Sequence, residues 1–347
     1  MYRRQVQLLR HLNPQGVAAP VQQPTRASSA ALMHTSNPAL APADSAPAGS
    51  EVERPFSKVV VYGSGLMGSG IAQVAAQYNY QVTLVDLNQN MLDKGQGYIR
   101  SSLKRVARKK FADDASQQTA FVDNVMSRVK VSTDPVKPVE DADLVVEAIV
   151  ENIKVKQSLF RSLDEAAPQH TVFTSNTSSL PIGQLLAATS DQRATQFAGL
   201  HFFNPVPQMK LVEVVKAATT SQQVVDSLTA FCQSIKKSPV HCNDTPGFIV
   251  NRLLVPYMME ALRMVDRGDA SVRDVDTAMK LGAGYPMGPF ELADYVGLDT
   301  LKFITDGWYK EGEGLVGDGL VAPSKRLDAL VAAGNLGRKT GKGFYEY

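Results

Sequence analysis

His201 closes an apolar run, Gln196-Phe197-Ala198-Gly199-Leu200, and is followed by Phe202-Phe203-Asn204-Pro205. Further along, Glu213 stands inside Leu211-Val212-Glu213-Val214-Val215, a strand pattern in which it shares a face with Leu211 and Val215. A carboxylate on an apolar face is costly unless it is paired. An imidazole is a suitable partner, because such a pair can take up and return a proton near neutral pH. The competing reading is a glutamate on an edge strand that reaches solvent. Two other histidines lie beyond the N-terminal stretch. His170 begins a strand, at the wrong edge of a sheet for ligand binding, and His241 lies near the end of a short strand, Pro239–Cys242. An isolated histidine is more often structural than catalytic, but the strand-end position of His201 and the loop after it favour a base.

A second chemical signal is Gly63-Ser64-Gly65-Leu66-Met67-Gly68. The β-branched run Lys58–Tyr62 precedes it. Ile71, Val74, Ala75 and Tyr78 follow at helical spacing, and a second strand, Gln81–Val85, ends at Asp86, 23 residues past the first glycine. In that setting the glycines have separate duties: Gly63 allows the tight turn, Gly65 lets backbone approach a pyrophosphate, and Gly68 lets the helix lie close to the sheet. Free N–H groups at the helix start favour phosphate. Asp86 can accept from both ribose hydroxyls and would repel a 2′-phosphate, which favours NAD over NADP. A glycine-rich turn with no ligand is the alternative.

These residues need a frame that brings strand ends together. Val129–Thr133, Leu144–Ala148 and Thr171–Thr174 read as further strands. Their ends carry Glu147 and Glu151, and then Ser175-Asn176-Thr177-Ser178-Ser179. In an open doubly wound sheet, ligands bind beyond the carboxyl ends of the strands. Asp244-Thr245-Pro246-Gly247 marks a boundary. Beyond it, Phe248–Val265, Val272–Leu281 and Ser324–Ala333 read as helices, with a loop at Gly282–Pro286. The expected fold is α/β: a Rossmann-type, mostly parallel doubly wound sheet over residues 56–246 and an all-helical C-terminal domain over 247–347, with a substrate cleft between them and a surface for homodimerisation.

Composition limits the remaining classes. The 347 residues are 44% hydrophobic and 20% charged, ordinary globular usage. No apolar run is long enough to span a membrane. Two cysteines, Cys232 and Cys242, are too few for a disulfide framework or a paired zinc site, and no metal is expected. The net charge of +2 is unevenly placed: Arg3, Arg4, Arg10 and Arg26 precede the first acid, Asp44, which leaves 32 basic against 34 acidic residues in the rest. The body therefore lacks a nucleic-acid footprint. Residues 1–55 hold seven of the 19 prolines and read as a disordered mitochondrial transit segment, Arg-rich and poor in acids; an extension with no address is the alternative. Lys104, Arg105, Arg108, Lys109 and Lys110 form a basic run on a helix, either a solvated face or a hold for an anionic substrate.

From about residue 57 onward the chain resembles the short-chain L-3-hydroxyacyl-CoA dehydrogenases of mitochondria. The resemblance is carried by the glycine turn, Val145–Asn152, Ser175–Ser179 and His201–Pro207. Asp244–Arg252, Gly288–Leu292 and Lys339–Tyr345 carry it further. The stretches Leu180–Gln196 and Glu311–Ala322 match less well and look like surface loops. The resemblance implies NAD-dependent oxidation of (3S)-3-hydroxyacyl-CoA to 3-ketoacyl-CoA in fatty acid β-oxidation, in the mitochondrial matrix, by a homodimer. It implies His201 as general base with Glu213 orienting it, and Ser178 and Asn251 against the reacting oxygen or thioester. Gly63, Ser64, Gly65, Leu66, Met67, Gly68, Asp86, Glu151, Lys156, Ser178, Asn204 and Lys339 would hold the cofactor, and Ser102, Lys109 and Ser178 coenzyme A. Two other readings stay open: a related dehydrogenase of free hydroxy acids such as L-gulonate or 3-hydroxyisobutyrate, and a non-catalytic, crystallin-like NAD-binding protein. The intact His201 and Glu213 speak against the second.

Overall fold

The computed structural model describes residues 54–312 and 315–347. The expected transit segment lies, apart from Arg54 and Pro55, outside the described residues. Eight strands form one sheet in the order β3-β2-β1-β4-β5-β6-β7-β8. They are β1 Lys58–Tyr62, β2 Gln81–Val85, β3 Val129–Ser132, β4 Leu144–Glu147, β5 Val172–Ser175, β6 Phe197–Phe202, β7 Leu211–Lys216 and β8 Ser238–Asn243. Every pairing is parallel except β6 with β7. The chain reverses its direction of growth at β1, which lies between β2 and β4, and an open sheet offers its ligand crevice at that switch point.

The central strands are apolar on both faces because helices cover both. Alternate residues feed two separate cores. Val59, Val61, Leu84, Val146 and Leu200 pack on one side, under α1 Leu66–Gln77, α2 Gln89–Lys110, α3 Ala115–Met126 and α7 Gln222–Ser234. Val60, Tyr62, Val145, Phe173 and Phe197 pack on the other, against α4 Ile153–Ala166 and the short α5 Ile182–Leu186, near α6 Asp191–Ala194. A third core, centred on Met259, Leu262, Phe290, Leu301 and Trp308, belongs to α8 Val250–Asp266, α9 Val272–Gly282, α10 Pro289–Val296, α11 Leu298–Glu311 and α12 Lys325–Ala332. No helix among the described residues is long and apolar enough to cross a membrane.

Several boundaries move, for identifiable reasons. The helix expected from Phe248 starts at Val250, because Gly247 and Phe248 both have positive φ, +80° and +52°, and still belong to the turn. Helices α10 and α11 were not foreseen. Their signals are Pro289 at the first helical position and Gly297, whose φ of +103° lets one helix end where the next begins. The two stretches expected as surface loops are more deeply set. Ile182 and Leu185 of α5 are fully buried in the segment Leu180–Gln196, and Leu315 and Val321 enter the third core from the segment Glu311–Ala322.

Candidate active site

The antiparallel step from β6 to β7 places His201 directly opposite Glu213 in register. Cross-strand partners of this kind share a face, and His201 Nδ1 lies 2.7 Å from Glu213 Oε2. Strand β7 is flanked on both sides and Glu213 is 0% exposed, so the edge-strand reading is wrong. The other oxygen, Oε1, accepts from the backbone N–H groups of Val250 at 2.9 Å and Ile249 at 3.2 Å. These are free donors at the start of α8, where a negative charge is stabilised. A carboxylate that only accepts assigns the proton to Nδ1 of His201. Nε2 is left with its lone pair, without a hydrogen bond among the described residues. Phe203 and Phe248 flank the ring, at centroid distances of 4.5 and 5.6 Å.

His201 opens on a cavity of about 310 Å³. Glu151, Lys156, Ser178, Asn204 and Asn251 also line it, as does Met67 of the glycine turn. Met67, Glu151, Lys156, Ser178, His201 and Asn204 thus meet because they lie at or after the ends of β1, β4, β5 and β6, which finish at one edge of the sheet; β7 and β8 run the other way, and Asn251 comes to the cavity on α8. Asn251 bridges the two parts of the fold, donating from Nδ2 to the Ser178 carbonyl at 3.3 Å. Asp244, at the boundary, accepts from the N–H groups of Ile182 and Gly183 at 2.8 and 2.7 Å. Asn176 accepts from Phe202 N–H at 2.8 Å and so fixes the end of β6.

On the far side of the cavity, Lys156 Nζ lies 3.0 Å from Glu151 Oε2 and 2.7 Å from Glu147 Oε1. Glu151 also accepts from the hydroxyls of Thr177 at 2.5 Å and Ser179 at 3.0 Å. Burial works to raise the Glu151 pKa, but Lys156 and these hydroxyls outweigh it, and the net shift is downward. For Glu147 burial wins, offset only in part by Lys156 and Ser175, and its pKa is raised. Glu147 lies behind the cavity and is joined to it through Lys156; from the sequence it is named at a strand end but given no role. Its signal was there: a carboxylate that continues the buried run Leu144-Val145-Val146.

The glycine turn behaves as its spacing suggests. A Cβ on Gly68 would stand 1.8 Å from the Gly63 carbonyl oxygen, and one on Gly63 would stand 2.5 Å from that of Ala148. Both are required by packing. A Cβ on Gly65 meets nothing within 4 Å, so the space in front of that backbone is open to a ligand. Asp86 is tied to the turn: its Oδ2 accepts from Ser64 N–H at 2.7 Å and Ser64 Oγ–H at 2.6 Å. Its Oδ1 also accepts from Leu87 N–H at 2.7 Å, so of about four acceptor sites one is open to a ribose hydroxyl, and a second opens when the Ser64 hydroxyl donates to the Met91 carbonyl at 2.8 Å instead. An open glycine backbone, a helix start and an anchored acid fit a dinucleotide.

Ser102 lines a second cavity of about 160 Å³, together with Leu66, Tyr98 and Arg105. Asn204 lines both cavities. Two expected site residues are not brought in. Lys109 is exposed near the end of α2 and lines neither cavity. Lys339 is held elsewhere, its ammonium 2.5 and 2.7 Å from the two Asp299 oxygens. His170, 3.3 Å from Asp143, and His241, hydrogen-bonded to Thr229 at 2.8 Å, are likewise remote from the first cavity.

Comparison with known proteins gives a consistent result. Residues 58–245 match the family model described as 3-hydroxyacyl-CoA dehydrogenase, NAD binding domain, and residues 247–347 match its C-terminal domain. The chain is 57% identical over 290 residues to the mitochondrial hydroxyacyl-coenzyme A dehydrogenase of Homo sapiens, covering 83% of this chain and 90% of that one. It is 55% identical over 292 residues to a probable 3-hydroxyacyl-CoA dehydrogenase of Caenorhabditis elegans, covering 84% and 93%. Among solved structures, (S)-3-hydroxybutyryl-CoA dehydrogenase from Ralstonia eutropha superimposes with a TM-score of 0.78 at 37% identity, over 84% of this chain and 99% of that one.

Proposed function

The chain belongs to the 3-hydroxyacyl-CoA dehydrogenase family, and from that premise we propose how its own residues carry out NAD-dependent oxidation of a 3-hydroxyacyl-CoA. The observation that supports the reading is the buried Glu213–His201 pair, which leaves one imidazole nitrogen for a cavity shared with Ser178 and Asn251. NAD⁺, when bound, supplies the acceptor for the hydride that leaves C3. Nε2 of His201 takes the hydroxyl proton. Glu213 holds the ring in the required tautomer and stabilises the imidazolium as it forms. Ser178 and Asn251 contact the reacting oxygen or the thioester. The backbone at Gly65 and the start of α1 receive the diphosphate, Asp86 the ribose hydroxyls, and Glu151, Lys156 and Asn204 the nicotinamide side. In the reverse direction protonated His201 returns its proton to the forming hydroxyl. Ser102 and the second cavity take part of coenzyme A.

Acetoacetyl-CoA with NADH should turn over readily, and a chain-length series of 3-ketoacyl-CoA esters will give the acyl preference. Free acetoacetate and NADPH should both be poor. Faster turnover of a free hydroxy acid, or equal use of NADP, would contradict the substrate or Asp86 assignment respectively. No turnover of any of them would favour a binding protein.

Two finer assignments belong with this reading. The helical part, taken as residues 247–347, presents Leu253, Leu281 and Phe303, each more than 60% exposed. Apolar side chains so exposed on one small domain favour burial against a second copy. Sedimentation at micromolar concentration should give a homodimer; a monomer would contradict it. The acid-free, Arg-rich start of the chain and the mitochondrial names of its relatives support import into the mitochondrial matrix with removal of about the first 45–55 residues. Sequencing the N-terminus of enzyme from its own cells should show the shortened chain, and a retained Met1 on organelle-purified protein would contradict it.

A further inference from the structure

Glu147 lines none of the cavities described above. It ends β4 in the middle of the sheet, in register with Tyr62 of β1 and Ser175 of β5, and it is fully buried. Carboxylates are almost never this deep unless paired. Its partners are the Lys156 ammonium at 2.7 Å, the Ser175 hydroxyl at 2.5 Å and the Ile149 N–H at 2.7 Å. Lys156 is itself buried and also lies 3.0 Å from Glu151. One cation therefore serves two carboxylates. Of these three charged side chains, Lys156 and Glu151 line the cavity beside His201 and Glu147 does not, so Glu147 reaches that cavity through Lys156.

The reaction gives this arrangement a consequence. Hydride and proton leave one substrate carbon and its oxygen, so the nicotinamide ring must come to the cavity His201 faces. The oxidised ring carries a positive charge and the reduced ring carries none. If Lys156 served Glu151 alone, the pair would be neutral. A second carboxylate drawing on the same ammonium leaves Glu151 partly uncompensated.

We infer that Glu147 is a positioning residue that acts through Lys156 to keep Glu151 partly uncompensated, so that the site favours the oxidised over the reduced cofactor. The inference rests on the placing of the nicotinamide beside Glu151 and Lys156. The test is direct binding of NAD⁺ and NADH to the full chain without substrate, by calorimetry and by NADH fluorescence. Glu147→Gln removes the charge but keeps the size and an oxygen for Lys156. The ratio of Kd for NAD⁺ to Kd for NADH should rise about three- to tenfold, as for one charge partly screened across a small cavity, with NADH affinity changing least. Glu147→Asp keeps the charge but loosens its hold on Lys156, and should move the ratio the same way by a smaller factor. It carries the test if the glutamine variant does not fold. An unchanged ratio in the variant that folds, with or without a lower Tm, overturns the proposal and makes Glu147 purely structural. Wild-type protein that binds neither form would instead overturn the cofactor reading itself.

Discussion

His201→Gln should lower kcat by about 10²–10⁴, the usual contribution of a positioned general base, with a much smaller change in KM. Glutamine fills similar space and can hydrogen-bond to Glu213, so the fold should persist and the loss should be chemical. Steady-state kinetics with acetoacetyl-CoA and NADH, beside a thermal melt of the same preparation, separates the two effects. The expected direction follows from what the imidazole does in the site. Its Nδ1 is committed to Glu213 at 2.7 Å, so only Nε2 can exchange a proton with substrate. No other histidine lines the cavity. Near-normal kcat with an unchanged melt would remove His201 from the mechanism.

The glycine turn gives the second large effect, and it differs by position. Gly65→Ala adds a methyl group where the protein leaves open space, at a backbone conformation, φ −64°, that alanine accepts. The unliganded protein should keep its stability within about 1 kcal/mol. NADH affinity should nevertheless fall about ten- to hundredfold, because the methyl group occupies the diphosphate's approach, a clash of roughly 1–3 kcal/mol. Gly68→Ala forces a Cβ to within 1.8 Å of the Gly63 carbonyl oxygen, and neither group sits on a flexible side chain. It should destabilise the fold itself by about 3 kcal/mol or more and weaken binding as a result. Thermal melts and NADH titrations of the pair distinguish them. If Gly65→Ala binds NADH like the wild type, the turn is not where the diphosphate sits.

Legibility in the sequence followed the range of the interaction. The turn, its flanking strand and helix, and Asp86 lie within one short stretch, and local patterning alone placed them. The pairing of His201 with Glu213 was suggested by the cost of a carboxylate on an apolar face, and a direct antiparallel register delivers it. The contribution of α8 to holding Glu213 was not visible, because backbone N–H groups leave no mark in a sequence. Glu147 was passed over for a related reason: at a strand end it looked like another polar rim residue, and only its depth and its shared cation set it apart. Lys339 was expected at the cofactor from the resemblance alone, and its local environment offers Asp299 instead. Helices α10 and α11 were missed because short helices joined at Gly297 do not build a long periodic pattern.

The most direct test of the mechanism is a double-mutant cycle on His201→Gln and Glu213→Gln, read as kcat in the oxidation direction. Glu213 lines neither of the two site cavities and contacts both the ring and the start of α8 beside Asn251, so it can act through His201 or through the placing of Asn251, and the proposed mechanism takes the first route. Glu213→Gln should therefore lower kcat on its own, and the double variant should be little slower than the slower single one. Fully additive losses would contradict the account: His201 could remain the base, but Glu213 would not be its partner.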